Sequence, residues 1–322
     1  MRKLMVITID TEVDKSHDWK VSPNETYRSV LEGIPDRLDP LFLSHGAKAT
    51  YLLSGEVMER DDCADVLRSL KNMELGTHLH GELVEPMRSE GYMAGRNFDA
   101  MQCSYDADME RMKMIVLTDM FKERFGHAPV SFRAGRFGAG RNTARILRDL
   151  GYKVDSSVSP GMDWDFPDGR VDFMTAPTQP YHVVDDLKTP GDGPLLEVPV
   201  TIRSNWFRRT FHSSSTSPLM RRMNKISNKA FPSVWFRPSY HSDRQMINTA
   251  RHEIRKNRTK DIVVVNMMFH SMEAVAGASP YAKDEDECHA LLTRINTALT
   301  WAREQDFKFV TLSELPLFFR SS

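Results

Sequence analysis

The segment ELGTHLHGE, residues 74–82, places two histidines two positions apart and a glutamate two positions beyond the second. On a strand, side chains two apart point to the same face, so His78, His80 and Glu82 can converge on one point. Such a convergence suits a metal ion. A lone His-x-His is more often an edge feature than a ligand pair, so the pattern needs partners. The chain supplies them where its apolar runs end: Asp10 and Glu12 follow the first run, Arg133 lies near the end of PVSFRA, Asp155 follows YKV, and His270 follows DIVVVNMMF. One carboxylate with two imidazoles holds a divalent ion and leaves positions for water and a substrate carbonyl oxygen. A second carboxylate outside that set takes the water's proton, and a histidine on the opposite side protonates the leaving group. An arginine beside the base holds it ionised. Asp10, His270 and Arg133 can fill these three roles, and the chemistry is metal-assisted hydrolysis.

Singly, each residue has a bland reading: Asp10 as a turn cap, Arg133 as a solvated surface arginine, His270 as a satisfied core histidine. Together they require strands whose carboxyl ends share one rim. Apolar periodicity predicts strands at 3–10, 47–53, 73–80, 129–134, 152–157, 261–269 and 307–312. Between them it predicts helices at 34–45, 56–71, 105–125, 141–150 and 285–305, several closed by glycine, with a helical turn at the C-terminus. Repeated βα units imply a parallel sheet, open or closed into a barrel.

The 322 residues, 40% hydrophobic and 27% charged, suit one large α/β domain. The opening MRKLMVITID is too short an apolar run for a secretory or membrane segment, so it reads as a buried first strand in a cytoplasmic protein. Cys63, Cys103 and Cys288 form no Cys-x-x-Cys pair and read as thiols in a reducing compartment. The net charge of −1 conceals a segregation: residues 201–260 hold 14 Lys and Arg against 2 Asp and Glu. Aromatic residues from Trp206 to Tyr240 interleave with this charge. The mixture fits a surface for anionic groups and sugar rings or peripheral membrane contact, and equally a solvated lobe. No nucleic-acid-binding motif accompanies it, so no nucleic-acid partner is expected.

The motifs TID with Glu12, ELGTHLHGE, FRAGRFG, DSSVSP and NMMFHS, with LLEVPVT and FKFVTLSEL, occur in the order of the NodB-like polysaccharide deacetylases, carbohydrate esterase family four. The resemblance spans roughly residues 3–315, with an atypical section at 201–260, and is similar to a subgroup linked to lipopolysaccharide and capsule loci. It implies an α/β fold, a distorted (β/α)7 barrel, occupying residues 1–322 as a single domain. It also implies metal-dependent deacetylation of an acetylated amino sugar in a cell-surface glycan or its precursor. By position, Asp10 matches the family's base, His78 its first metal histidine, Arg133 the arginine that orients the base, and His270 the general acid. Thr11 stands where most members have an aspartate ligand, and Glu82 where the second metal histidine falls, so His80 and Glu82 both remain candidates. RAGRFG is one residue longer than the usual motif, so the backbone donor for the oxyanion is unassigned. The ligand set expected is Glu12, His78 and His80 around one divalent ion, zinc first, with cobalt, nickel and manganese also accepted. Arg136, Asp155, Arg208 and Arg209 are expected at the substrate, a sugar or glycan that is phosphorylated or lipid-linked in one reading and met at the inner face of the membrane. Two rival readings are a glycan-binding barrel without catalysis, suggested by Thr11, and a metal-dependent amidohydrolase, in which the His-x-His would end the first strand.

Overall fold

The computed structural model describes residues 1–19, 21, 26–88, 101–166, 169–204 and 232–319. Its centre is a long strand, β1 (Arg2–Thr11), followed by β2 (Thr50–Leu53), β3 (Glu74–Leu79), β4 (Ser131–Ala134) and β5 (Val154–Asp155). A hairpin of β6 (Asp163–Phe166) and β7 (Gly169–Asp172) comes next, then β8 (Tyr181–Val183) and β9 (Leu195–Glu197). The pair β10 (Ile202–Arg203) and β11 (Val234–Trp235) precedes β12 (Ile262–His270) and β13 (Lys308–Phe309). The main sheet runs β12-β1-β2-β3-β4-β5-β9-β8, with β13 also on β1. The seven strands from β12 to β9 are parallel, and β8 is antiparallel. This is the expected distorted (β/α)7 barrel. Its seam is stitched by side chains: Gln179 Oε1 accepts from Val264 N at 2.8 Å, and Thr201 Oγ1 from Asn266 N at 2.8 Å.

The alternation of side chains along the strands sorts the barrel interior into layers. The lowest is apolar, formed by Leu4, Val6, Leu52, Val154, Leu196 and Val264. Above it lie Thr8, Arg133, Ser156 and Asn266, joined by hydrogen bonds. Asp10, His78 and His270 follow at the carboxyl rim. Two pairings hold that rim in register: Asp10 lies opposite His270 across β1 and β12, and His78 opposite Arg133 across β3 and β4.

Outside the sheet, a π-helical stretch, Ser29–Leu38, carries Pro35 and continues as α1 (Asp39–His45), which ends on left-handed Gly46. The expected helix at 56–71 is two pieces, α2 (Gly55–Met58) and α3 (Asp61–Ser69). α4 (Ala107–Phe125) and α5 (Thr143–Asp149) fall close to their expected bounds. α6 (Asp243–Lys256), which the periodicity does not single out, starts on a capping box of Ser242 and Gln245. α7 (Glu285–Glu304) is capped by Asp284. Among the described residues, no helix is long and apolar enough to cross a membrane, and the three cysteines are unpaired.

Gly76 makes the close approach of β3 to β4 possible: a Cβ there would lie 2.7 Å from Ser131 O and 2.9 Å from the Leu52 side chain. Gly76→Ala is expected to cost roughly 1–3 kcal/mol through overpacking, readable as a lower urea midpoint with an unchanged slope.

Candidate active site

Arg133 is a fully buried arginine at the floor of the rim. Its Nη1 donates to Asp10 Oδ1 at 2.6 Å, its Nε to Ser156 O at 2.8 Å, and its Nη2 to Thr8 Oγ1 at 2.7 Å and Ser156 Oγ at 2.9 Å. Asp10 is thereby turned so that Oδ2 faces His78 Nε2 at 3.9 Å and His270 Nε2 at 4.0 Å. Burial alone would raise the Asp10 pKa, but Arg133, His78 and His270 outweigh it and hold the carboxyl below its usual value.

Glu12, His78 and His80 form the second group. Glu12 Oε1 lies 3.2 Å from His78 Nε2 and 3.3 Å from His80 Nε2, and one donor atom from each of the three lies within 4.8 Å of the others. The outer nitrogens decide what the inner ones can do. His78 Nδ1 faces the Arg133 carbonyl oxygen at 3.0 Å, and His80 Nδ1 faces Glu82 Oε1 at 3.3 Å. Both partners only accept, so each Nδ1 carries a hydrogen, and in the neutral ring each Nε2 is a lone pair aimed at Glu12. Three acceptors pointing at one another need a cation between them or protonated rings. This donor set fits a divalent ion, with the outer contacts orienting the histidines as ligand-supporting groups do. Without an ion the protons must come instead: burial opposes a charged His80, yet Glu12 and Glu82 overcome it and push its pKa up to about 9. Burial likewise opposes ionised Glu12, and Lys15 and the two histidines bring it well below the ordinary range.

Glu82 stands behind His80, held from the other side by Arg136 Nη2 at 2.6 Å. Its segment is pinned by buried Lys113, whose Nζ donates to Gly81 O, Val84 O and Pro86 O at 2.6–2.7 Å. Arg136 and Phe137 both have left-handed backbones, φ 52° and 55°. Two such non-glycine residues side by side at a site rim are a strained arrangement that the surrounding structure holds.

A cavity of about 560 Å³ opens above the rim, with Asp10, Glu12, His78, His80 and His270 on its floor. Trp19, Phe137, Trp164, Trp235, Tyr240 and Tyr281 wall it. His270 is set from behind: its Nδ1 lies 2.8 Å from Glu273 Oε1 and 2.9 Å from Arg237 Nη2, which itself donates to Glu273 at 2.6 Å. Trp19 meets the His270 ring edge-on at 5.4 Å.

With this geometry in hand, known proteins can be compared. No protein-family model matches the chain, and no curated protein matches it. Solved structures do. A protein of Mycobacterium smegmatis described as a polysaccharide deacetylase is 16% identical with a TM-score of 0.53, over 99% of this chain and 90% of that one. A glycoside hydrolase/deacetylase of Parabacteroides distasonis is 13% identical with a TM-score of 0.63, over 99% and 71%. The fold is that of the polysaccharide deacetylases. The PuuE allantoinase shares this deacetylase-type barrel at 13% identity and a TM-score of 0.53, over 100% and 91%.

Within this barrel the structure gathers Asp10, Glu12, His78, His80, Arg133 and His270 and brings Arg136 to the cavity wall. Asp155 requires a correction: it does not reach the cavity. It is fully buried, and its carboxylate accepts from Ser157 N at 3.0 Å and Ser157 Oγ at 2.7 Å. Its carboxylate lies beside buried Glu197 and is not among the residues that line the cavity. Arg208 and Arg209 lie outside the described residues. The residues that sequence reasoning missed are Lys15, Arg237 and Glu273. Glu273 follows His270 by three positions, a readable signal; Arg237 is hidden among the basic residues of its section.

In chelator-treated protein, His80 ties stability to pH. Its folded pKa lies above the ordinary histidine value of about 6.5, so the stability it contributes is full below about pH 6.5 and is lost as pH rises through about 9. Urea unfolding at pH 6 and pH 10 should show this loss in the chelator-treated chain, and His80→Gln should reduce it.

Proposed function

We propose that this protein is a metal-dependent deacetylase that hydrolyses an acetyl amide, or ester, on an amino sugar of a cell-surface glycan or its precursor. The observation that carries the reading is the convergence of Glu12 Oε1 and two histidine Nε2 lone pairs beside an independently held carboxylate, Asp10. Glu12, His78 and His80 would hold a divalent ion, zinc by preference for this nitrogen and oxygen set, which would supply polarisation of a carbonyl oxygen and a more acidic water. Asp10 Oδ2, kept ionised by Arg133, takes the proton of the water whose oxygen adds to the acetyl carbon. As the C–N bond breaks, His270 Nε2 delivers a proton to the departing amine nitrogen. Glu273 and Arg237 hold the His270 ring for this transfer. The aromatic wall suits the apolar faces of sugar rings, and the cavity is of ordinary ligand-site size. In this reading the basic section around Arg208 and Arg209 meets a phosphorylated or lipid-linked glycan, as in lipopolysaccharide or capsule synthesis.

The deciding experiment pairs elemental analysis of the purified protein with acetate release from acetylated sugar nucleotides and oligosaccharides, with allantoin as the amidohydrolase comparison. His78→Ala should remove stoichiometric metal and activity together. Asp10→Asn should retain the metal and lose at least about a hundredfold in turnover; near wild-type turnover would remove Asp10 from the role of base. His270→Ala should slow amide substrates more than activated phenyl esters, because a phenolate leaves without a proton and an amine does not. Equal losses on the two would make His270 a structural residue.

A further inference from the structure

Lys15 is buried beside the ligand group, and its Nζ forms an ion pair with Glu12 Oε2, the oxygen that does not face the histidines. The two oxygens of one carboxylate are thus divided: Oε1 toward His78 and His80, Oε2 toward an ammonium. The placement is built into the fold. Lys15 N donates to Ala278 O at 2.8 Å, and Lys15 bridges to Val21. Just before it, the Asp14 carboxylate accepts from Arg28 N at 2.8 Å and Ser29 N at 3.2 Å, which fixes the turn. Lys15 Nζ also lies 5.4 Å from the centre of the Trp19 ring, so the ammonium is held between an anion and an aromatic face.

Resting on the metal reading of Glu12, His78 and His80, we infer that Lys15 is a positioning residue for the ion: it restricts Glu12 to single-oxygen ligation and weakens the ion's binding. Two physical effects act together. An ammonium on Oε2 withholds that oxygen from the ion, so a coordination position stays available for water and substrate. The same ammonium repels a divalent cation a few ångströms away in a poorly solvated site, and it stabilises the metal-free chain by neutralising a buried carboxylate. Both favour an ion bound less tightly and with more open coordination than this ligand set alone would give.

The test uses metal binding rather than turnover. Affinities for Zn²⁺ and Co²⁺ would be measured by chelator competition, with visible absorption of the Co²⁺ form, for the wild-type chain, Lys15→Met and Lys15→Gln. Lys15→Met removes both the charge and the donor. It should bind the ion at least about tenfold more tightly, with weaker Co²⁺ absorption as the second oxygen joins and the coordination number rises. Lys15→Gln removes the charge but keeps an N–H for Oε2. It should also bind more tightly while keeping the wild-type Co²⁺ spectrum. If the metal-free Lys15→Met chain is too unstable for competition, the rise in Tm on adding Zn²⁺ serves instead, and it should exceed the wild-type rise. Equal or weaker binding by both variants overturns this inference and leaves the metal reading standing. If no variant, nor the wild type, takes up stoichiometric ion, the metal reading falls and this inference with it.

Discussion

A buried guanidinium organises this site. Arg133 is fully buried beneath the rim, and leaving such a charge unpaired costs about 3–5 kcal/mol. It is paired by Asp10 from β1 and by the Ser156 turn after β5, with Thr8 and the Asn266–Ser156 contact completing the layer. Four strands must therefore be in register before the arginine is satisfied. The same register places Asp10 opposite His270. The polar layer is both a support for the barrel and the means by which one carboxylate is kept charged and aimed.

Above that layer, repulsion rather than attraction defines the geometry. Glu12, His78 and His80 present acceptors to a common point because Arg133 O and Glu82 occupy the outer nitrogens of the two rings. A group held in this frustrated state is preorganised for a cation, and the fold meets the cost through its surroundings: Lys113 clamps the segment carrying Glu82, and Arg136 neutralises that carboxylate. The two carboxylates of the rim consequently have different neighbours. Asp10 is governed by an arginine, Glu12 by a lysine and two imidazoles, and under the proposed reading this difference would let one serve as base and the other as ligand.

The third component comes from outside the repeating βα pattern. Arg237 lies between β11 and α6, and its guanidinium lies over the Tyr240 ring at 4.1 Å and the Tyr281 ring at 5.1 Å while it reaches His270 and Glu273. Trp19 arrives from the loop after β1, and Trp164 from the β6–β7 hairpin. The barrel holds the reactive groups, and irregular segments build the wall around them, a division of labour that rigid scaffolds with variable loops commonly show.

The sequence by itself determined the alternation of strands and helices, because buried parallel strands read as apolar runs and long helices as 3.6-residue periods closed by left-handed Gly46 and Gly126. It also determined that Asp10, Glu12, His78, His80, Arg133 and His270 end such runs, which is enough to put them on one rim once the sheet is parallel. Short or shielded elements were not legible: the antiparallel β8, the hairpin at 163–172 and the break between α2 and α3 depend on contacts rather than local pattern. Asp155 shows the limit most clearly. It ends an apolar run as His270 does, yet its carboxylate is engaged by Ser157 and Glu197 away from the cavity, and no spacing along the chain distinguishes the two. Which way a strand-end side chain is held is set in places by neighbours more than a hundred residues away, as with Arg133 beside Asp10 and Asn266 beside Thr8. Only the tertiary structure decided these, because a charge can be buried only where its partner is, and the partner's position is a property of the packed fold.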